Sequence, residues 1–356
     1  GKRISVYKAT ISLAETALQN AGSPKPTLFS FLAASTAHMI DEPIDEELLP
    51  GDRLRYFYPM QLDETLDSRF KTIAKLGFGG GSTVWLAENL KFKRWRKSSG
   101  PRYVSIKIPA LDTNASGERM KSKLIANANP SHEGLSFIRI PIDEFKLQGP
   151  QGTHSCLVYE PMRETLFRFQ RRLPQQRLAL PLFRCYIFLL LQTLDYLHTE
   201  CRLIHTDIKD NNIMMTIEND AILTDFANHY KKHPQPRHVR TEDGRVTYLS
   251  EDDFGSLRGN GLLPKLADFN ISFPGLVGDG GHLSAIQSHR YRAPEVLLGC
   301  PWSYSVDIWN LGLLMWNLLE DVNLFDRPAG EDGEYDPHVH LAQMVSLLGD
   351  PPRGTD

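Results

Sequence analysis

The stretch His205-Thr206-Asp207-Ile208-Lys209-Asp210-Asn211-Asn212 decides how the rest of this chain is read. Its pattern, H-x-D-x-K-x-x-N, sets an Asp where it can accept the proton of an attacking hydroxyl. A Lys two residues on can reach a phosphate in transfer, and an Asn three further can hold a divalent cation. Phosphoryl transfer asks for these residue types because its loose transition state needs positioning and charge neutralisation more than covalent chemistry. Asp207 is thus the expected base, Lys209 the partner of the transferred phosphate and Asn212 a metal ligand. His205 is expected to support the loop by packing. One octapeptide can arise by chance, so its neighbours along the chain decide.

Upstream, Phe70 to Leu76 alternates as a half-buried strand does, and Gly77-Phe78-Gly79-Gly80-Gly81 makes a flexible turn. Ser82-Thr83-Val84-Trp85-Leu86-Ala87 returns as a second strand. Gly77-x-Gly79-x-x-Ser82-x-Val84 reads as a phosphate cover, in which glycines let backbone N–H groups approach a triphosphate. Ser82 stands where a third Gly is common. No G-K-[ST] follows, which excludes a P-loop, and a strand follows instead of a helix, which excludes a dinucleotide turn. Tyr103 to Ile108 is a third strand, and Lys107 lies on it among apolar residues. A Lys there is costly unless paired. It is read as a clamp on phosphates, held by Glu118 from a weakly helical stretch over Glu118 to Ala128.

Downstream, Asp268-Phe269-Asn270 is expected to present a second metal carboxylate. Asp225-Phe226-Ala227 is a decoy of the same shape. Asp268 is preferred because the strand Lys265-Leu266-Ala267 leads into it and Tyr291-Arg292-Ala293-Pro294-Glu295 follows. Asn270 stands where Gly is usual. Asn tolerates positive φ next best after Gly, so the turn is expected to survive at a small cost.

The chain has 356 residues with an apolar share of 41%, enough for two lobes around large cores. A net charge near −3 gives no global basic field toward nucleic acid or membrane. Cys156, Cys185, Cys201 and Cys300 form no C-x-x-C pair, which fits a reducing compartment, cytoplasm or nucleus. The apolar run Cys185 to Leu191 is too short to cross a bilayer and reads as a buried helix. Residues 1–40 read as a poorly ordered extension, although Lys2 to Thr36 has a transit-like composition. Residues 41–69 read as a linker, 70–160 as a β-rich small lobe and 161–356 as an α-rich large lobe. In the second lobe, Leu182 to His198 and Val306 to Leu319 are apolar on nearly every side, and Leu341 to Leu348 is a shorter helix. Asp307 suits the dipole at the start of its helix. Thr216 to Leu263 is polar and reads as an insertion, much of it mobile. The basic run Lys91 to Lys97, with Phe92 and Trp95, reads as a solvated hairpin tip, and no direct nucleic-acid binding is expected.

Leu76-Gly77-Phe78-Gly79, Val104-Ser105-Ile106-Lys107, His205 to Lys209, Asp268-Phe269-Asn270 and Ala293-Pro294-Glu295 together resemble the eukaryotic protein kinase family. Ser82 to Ala87, Tyr291 to Gly299, Glu42 to Glu47 and Pro301 to Asn310 are similar to its SR-protein kinase group, fungal branch. The resemblance implies an α+β bilobal fold and transfer of the ATP γ-phosphate to protein Ser or Thr, with Mg²⁺. It implies substrates with Arg-flanked serines, linked to mRNA splicing, and no membrane partner. By position, Tyr159 would stand behind the adenine, Glu160 and Met162 would offer hinge backbone groups, and Leu76 and Val84 would sandwich the ring. It also implies an activation segment that needs no phosphorylation. Further helices would follow beyond Asp356, so an exposed apolar patch on the large lobe is expected. The competing reading is a pseudokinase or kinase fragment that binds nucleotide or a partner as a scaffold.

Overall fold

Six strands pair antiparallel into one sheet in the order Thr65–Leu66, Phe70–Gly79, Ser82–Asn89, Tyr103–Pro109, Thr153–Tyr159, Asp143–Gln148. The computed structural model describes residues 39–95, 100–259, 261–275, 280–325, 328–330 and 333–350. The extension before Met39, and part of the basic run, lie outside the described residues. Strand alternation sorts the side chains between two faces. Trp85, Ala87, Val104, Ile106, Ile108, Cys156 and Val158 fill one buried cluster. Register pairs Val84 with Lys107 and Ser105 with both Leu86 and Tyr159, which puts these residues on the opposite face. The helix Ala115–Asn127 follows the third long strand, capped by Asn114, whose side chain accepts from the Gly117 N–H.

Two expectations about this lobe are corrected. The stretch 41–69 is no linker: Leu54, Phe57, Met60 and Leu66 are buried, and Thr65–Leu66 pairs with the sheet. The polar insertion is folded as well. Its helix Asp220–Lys232 turns Ile222, Leu223, Phe226 and Ala227 onto Ile73, Ala74, Leu86 and Tyr103 of the sheet, with Phe254 beside them. Its strands Arg237–Val239 and Val246–Tyr248 pair with each other, and the first also takes Met39–Ile40. The insertion looks polar because a 13-residue helix shows only one apolar stripe; the other face is solvated.

The two added segments meet on Lys75. Its ammonium is fully buried and lies 2.9 Å from the Asp45 carboxylate, bonds Glu46, and donates to the Tyr248 carbonyl at 3.0 Å. The Gln235 side chain brackets the same residue, accepting from its N–H at 2.6 Å and donating to its carbonyl at 2.8 Å. Two carboxylates around one dry cation are stable only while the cation stays. Lys75→Met is therefore expected to cost about 3–5 kcal/mol, read as a lower denaturation midpoint. An unchanged midpoint would show that this cluster does not hold the segments to the sheet.

The large lobe is built on the helix Leu180–Asp195, which continues through one wider turn at Tyr196–Glu200. This is the one described helix long and apolar enough to cross a membrane, and Leu182, Tyr186, Leu189, Leu190 and Leu197 form the lobe's core instead. The helix Ser305–Glu320 packs Leu311, Leu314 and Leu318 into that core. Its other faces are only partly covered: Ile308 is 52% and Trp316 44% exposed. Leu313 joins Phe325 and Met344, the latter from the helix Pro337–Leu348. Small sheets line the front of the lobe, Ile213–Thr216 between Met162–Thr165 and Pro264–Leu266, and Leu203–Ile204 with Phe273–Pro274.

Candidate active site

Lys107 and Glu118 meet across the gap between sheet and helix: Nζ donates to both carboxylate oxygens at 2.9 and 2.8 Å. The pair opens toward the cleft, with side chains 18% and 11% exposed. The Tyr159 hydroxyl also donates to Glu118, at 2.9 Å. Burial and the nearby carboxylate hold that phenol well above its ordinary pKa, so it stays a donor. Arg139 lies 4.2 Å over the Tyr159 ring, its Nε buried, and burial pushes its pKa down. Leu76 and Val84 stand half-buried on the strands that flank the glycine turn, and Phe78 is exposed at its tip. None of Gly77, Gly79, Gly80 and Gly81 needs positive φ. At Gly77 and Gly79 a Cβ would project into open space, whereas at Gly81 it would meet Thr113 at 2.7 Å. The first two therefore keep a backbone surface clear, and the third allows close packing.

Opposite this cover, the catalytic loop folds around Asp207. Lys209 Nζ donates to both Asp207 oxygens, at 3.0 and 2.7 Å. The Asn212 amide donates to the Asp207 carbonyl at 2.8 Å and to its carboxylate at 2.7 Å. Thr206 beside them has φ 69°, a conformation that persists only when the surroundings fix it. Asp307 does so. Fully buried, it accepts from the His205 and Thr206 N–H groups at 2.8 Å each and bonds His198 Nε2 at 2.8 Å. It anchors the loop to the large lobe, beyond the dipole role read for it. His205 is buried as expected: its Nδ1 accepts from the Asp207 N–H at 3.2 Å, which leaves Nε2 to donate to the Ala267 carbonyl at 3.0 Å. Asp210, next to Lys209, has its pKa raised by burial.

Asp268 follows, exposed, with no ion pair or hydrogen bond to its carboxylate among the described residues. The decoy Asp225 lies on the insertion's helix, paired with Arg258. The expectation for Asn270 is corrected: positive φ falls on Asp268, at 65°, and not on Asn270. Asn270 therefore carries no strain for glycine to relieve. Among the described residues, Asn212, with its amide nitrogen committed to Asp207, has no hydrogen bond to its amide oxygen, and Asp268 has none to its carboxylate. Hard oxygen donors of this kind fit a magnesium ion, which takes the rest of its shell from water and phosphate oxygens.

Sequence reading missed three groups. Asp307 was read for its helix end alone. Arg139, a cation between Ile138 and Ile140, was a visible signal. Lys121, three residues after Glu118 and so on nearly the same helix face, donates to the Phe269 and Asn270 carbonyls at 3.1 and 2.8 Å. Half-burial lowers its pKa. Glu160 and Met162, which the resemblance places at a hinge, follow on the Tyr159 strand; Glu160 is paired loosely with Lys265 at 3.5 Å, and Met162 is buried. Trp95 stands 86% exposed on the turn after the second long strand.

Comparison with known proteins agrees with this geometry. Residues 70–252 match the protein kinase domain. A serine/threonine protein kinase of Aspergillus fumigatus is 36% identical over 311 residues, 87% of this chain and 72% of that protein. The serine/threonine-protein kinase SRPK of Physarum polycephalum is 28% identical over 316 residues, 83% of this chain and 71% of that protein. SRSF protein kinase 3 of Mus musculus is 30% identical over 209 residues, 58% of this chain and 34% of that protein. Two lobes of α+β build, a paired Lys and Glu over an Asp-centred loop, and these likenesses converge: the chain belongs to the eukaryotic protein kinase family, in its SR-protein kinase-like branch, and is a serine/threonine protein kinase.

Proposed function

We propose that the chain transfers the γ-phosphate of ATP to serines flanked by arginine in protein substrates, with Mg²⁺ held by Asn212 and Asp268. The observation that carries the reading is the pair of clusters, Lys107–Glu118 in the small lobe and Asp207–Lys209–Asn212 in the large one. Lys107 neutralises the nucleotide phosphates while Glu118 holds it in place. The glycine turn, Gly77 to Val84, covers the phosphates with backbone N–H groups, and Leu76, Val84, Tyr159, Glu160 and Met162 frame the base. The metal ion, when bound, supplies neutralisation of the β- and γ-phosphate charge. Asp207 orients the acceptor hydroxyl and takes its proton, and Lys209 balances charge on the phosphoryl group as it moves.

The substrate class rests on the relatives named SRPK and SRSF protein kinase. One local feature favours a second reading. A cleft of about 640 Å³ beside Lys209 is lined by Arg171, His289, Arg290 and Arg292 against Asp210 and Asp321. Such cations suit an acceptor serine with acidic neighbours. Competition among Arg-Ser, Ser-Pro and Ser-Glu peptides decides. The proposal expects Arg-Ser peptides to have the highest kcat/KM. Preference for Ser-Glu would favour the second reading, and preference for Ser-Pro would contradict both.

A further inference from the structure

The conformation of Asp268 raises the question of what holds it. It is an exposed, non-glycine residue at φ 65°, and such a backbone persists only where its neighbours over-determine it. The residue before it is fixed on both sides: the Ala267 N–H donates to the Asn212 carbonyl at 2.9 Å and the Ala267 carbonyl accepts from His205 at 3.0 Å. After it, the chain turns back to the surface at exposed Asn270. There the Phe269 carbonyl accepts from Ser272, N–H at 3.2 Å and hydroxyl at 2.9 Å. Two further side chains donate to this turn among the described residues: the Thr206 hydroxyl to the Ile271 carbonyl at 2.9 Å, and Lys121, which reaches across from the neighbouring helix to both the Phe269 and Asn270 carbonyls.

We propose that Lys121 is a positioning residue for the metal carboxylate, fixing the two peptide groups after Asp268 and through them its side chain. The inference rests on the reading of Asn212 and Asp268 as cation ligands. A charged donor is worth more than a neutral one, and one ammonium holding two carbonyls closes the turn as a clasp. The helix that carries Lys121 also carries Glu118.

The test measures cation binding directly and uses no protein substrate. Mn²⁺ is titrated by electron paramagnetic resonance into the full chain saturated with a non-hydrolysable ATP analogue. Amide hydrogen exchange at Ser272 is followed in parallel. Lys121→Met is expected to weaken Mn²⁺ binding about tenfold and to speed Ser272 exchange. Lys121→Arg, which keeps a cationic donor, should recover most of the affinity. Arg119→Met, on the same helix but paired at the surface with Glu144, should change neither. Should Lys121→Met fold poorly, Lys121→Gln carries the same expectation. Equal Mn²⁺ affinity in wild type and Lys121→Met, or equal loss in Lys121→Met and Lys121→Arg, overturns the proposal alone. Failure of the wild-type chain to take up Mn²⁺ overturns it together with the reading of the ligands.

Discussion

Asp207→Asn is expected to lower kcat by about 10²–10⁴-fold while leaving the affinity for ATP unchanged. The substitution keeps the shape of the side chain, and the Asn212 amide still has the residue-207 carbonyl to bond at 2.8 Å, so the loop keeps its course. What goes is the second carboxylate oxygen. Lys209 and Asn212 both donate to that carboxylate now, and an amide cannot accept from both and still take a proton from the acceptor hydroxyl. None of the groups proposed to touch the nucleotide changes. Measuring nucleotide affinity by displacement of a fluorescent analogue, beside kcat, separates the two effects. A parallel loss of both would mean that Asp207 is structural or a metal ligand.

Lys107→Met is expected to lower kcat/KM by about 10²–10³-fold with a modest loss of stability. Met fills the volume of the alkyl stem but leaves no cation for the phosphates. Glu118 loses the two hydrogen bonds from the ammonium and keeps one, from the Tyr159 hydroxyl at 2.9 Å. Because the pair opens on the cleft, water replaces the missing ammonium, and the cost to folding should be smaller than for Lys75→Met, whose carboxylate partners are 6% and 7% exposed. The comparison of the two Lys→Met variants is therefore informative. Lys75→Met should move the denaturation midpoint, and Lys107→Met should move the rate. Full turnover in Lys107→Met would remove this residue from the site.

The local spacing of the loop made the cluster of Asp207, Lys209 and Asn212 legible, because all three lie on one short stretch of chain and bond one another. Lys107 and Glu118 were legible for a different reason, a costly Lys on an apolar strand and a carboxylate on the next helix. What stayed hidden depends on contacts distant in sequence. Asp307 holds the loop from 101 and 102 residues away. The partners of Lys75 come from segments read as linker and loose insertion, since their few apolar residues gave no strong pattern of their own. At Asn270 the residue type misled. The left-handed position belongs to Asp268, two places earlier, and the carbonyls after it are bonded from Lys121, on a helix distant in sequence.

The most direct measurement of the central claim is transfer of label from radioactive ATP to an Arg-Ser repeat peptide, run with the wild-type chain, Asp207→Asn and Lys107→Met side by side at equal folded concentration. Phosphoserine is expected from the wild-type chain and almost none from either variant. Equal labelling by all three proteins, or none by a wild-type chain that binds ATP, would contradict it.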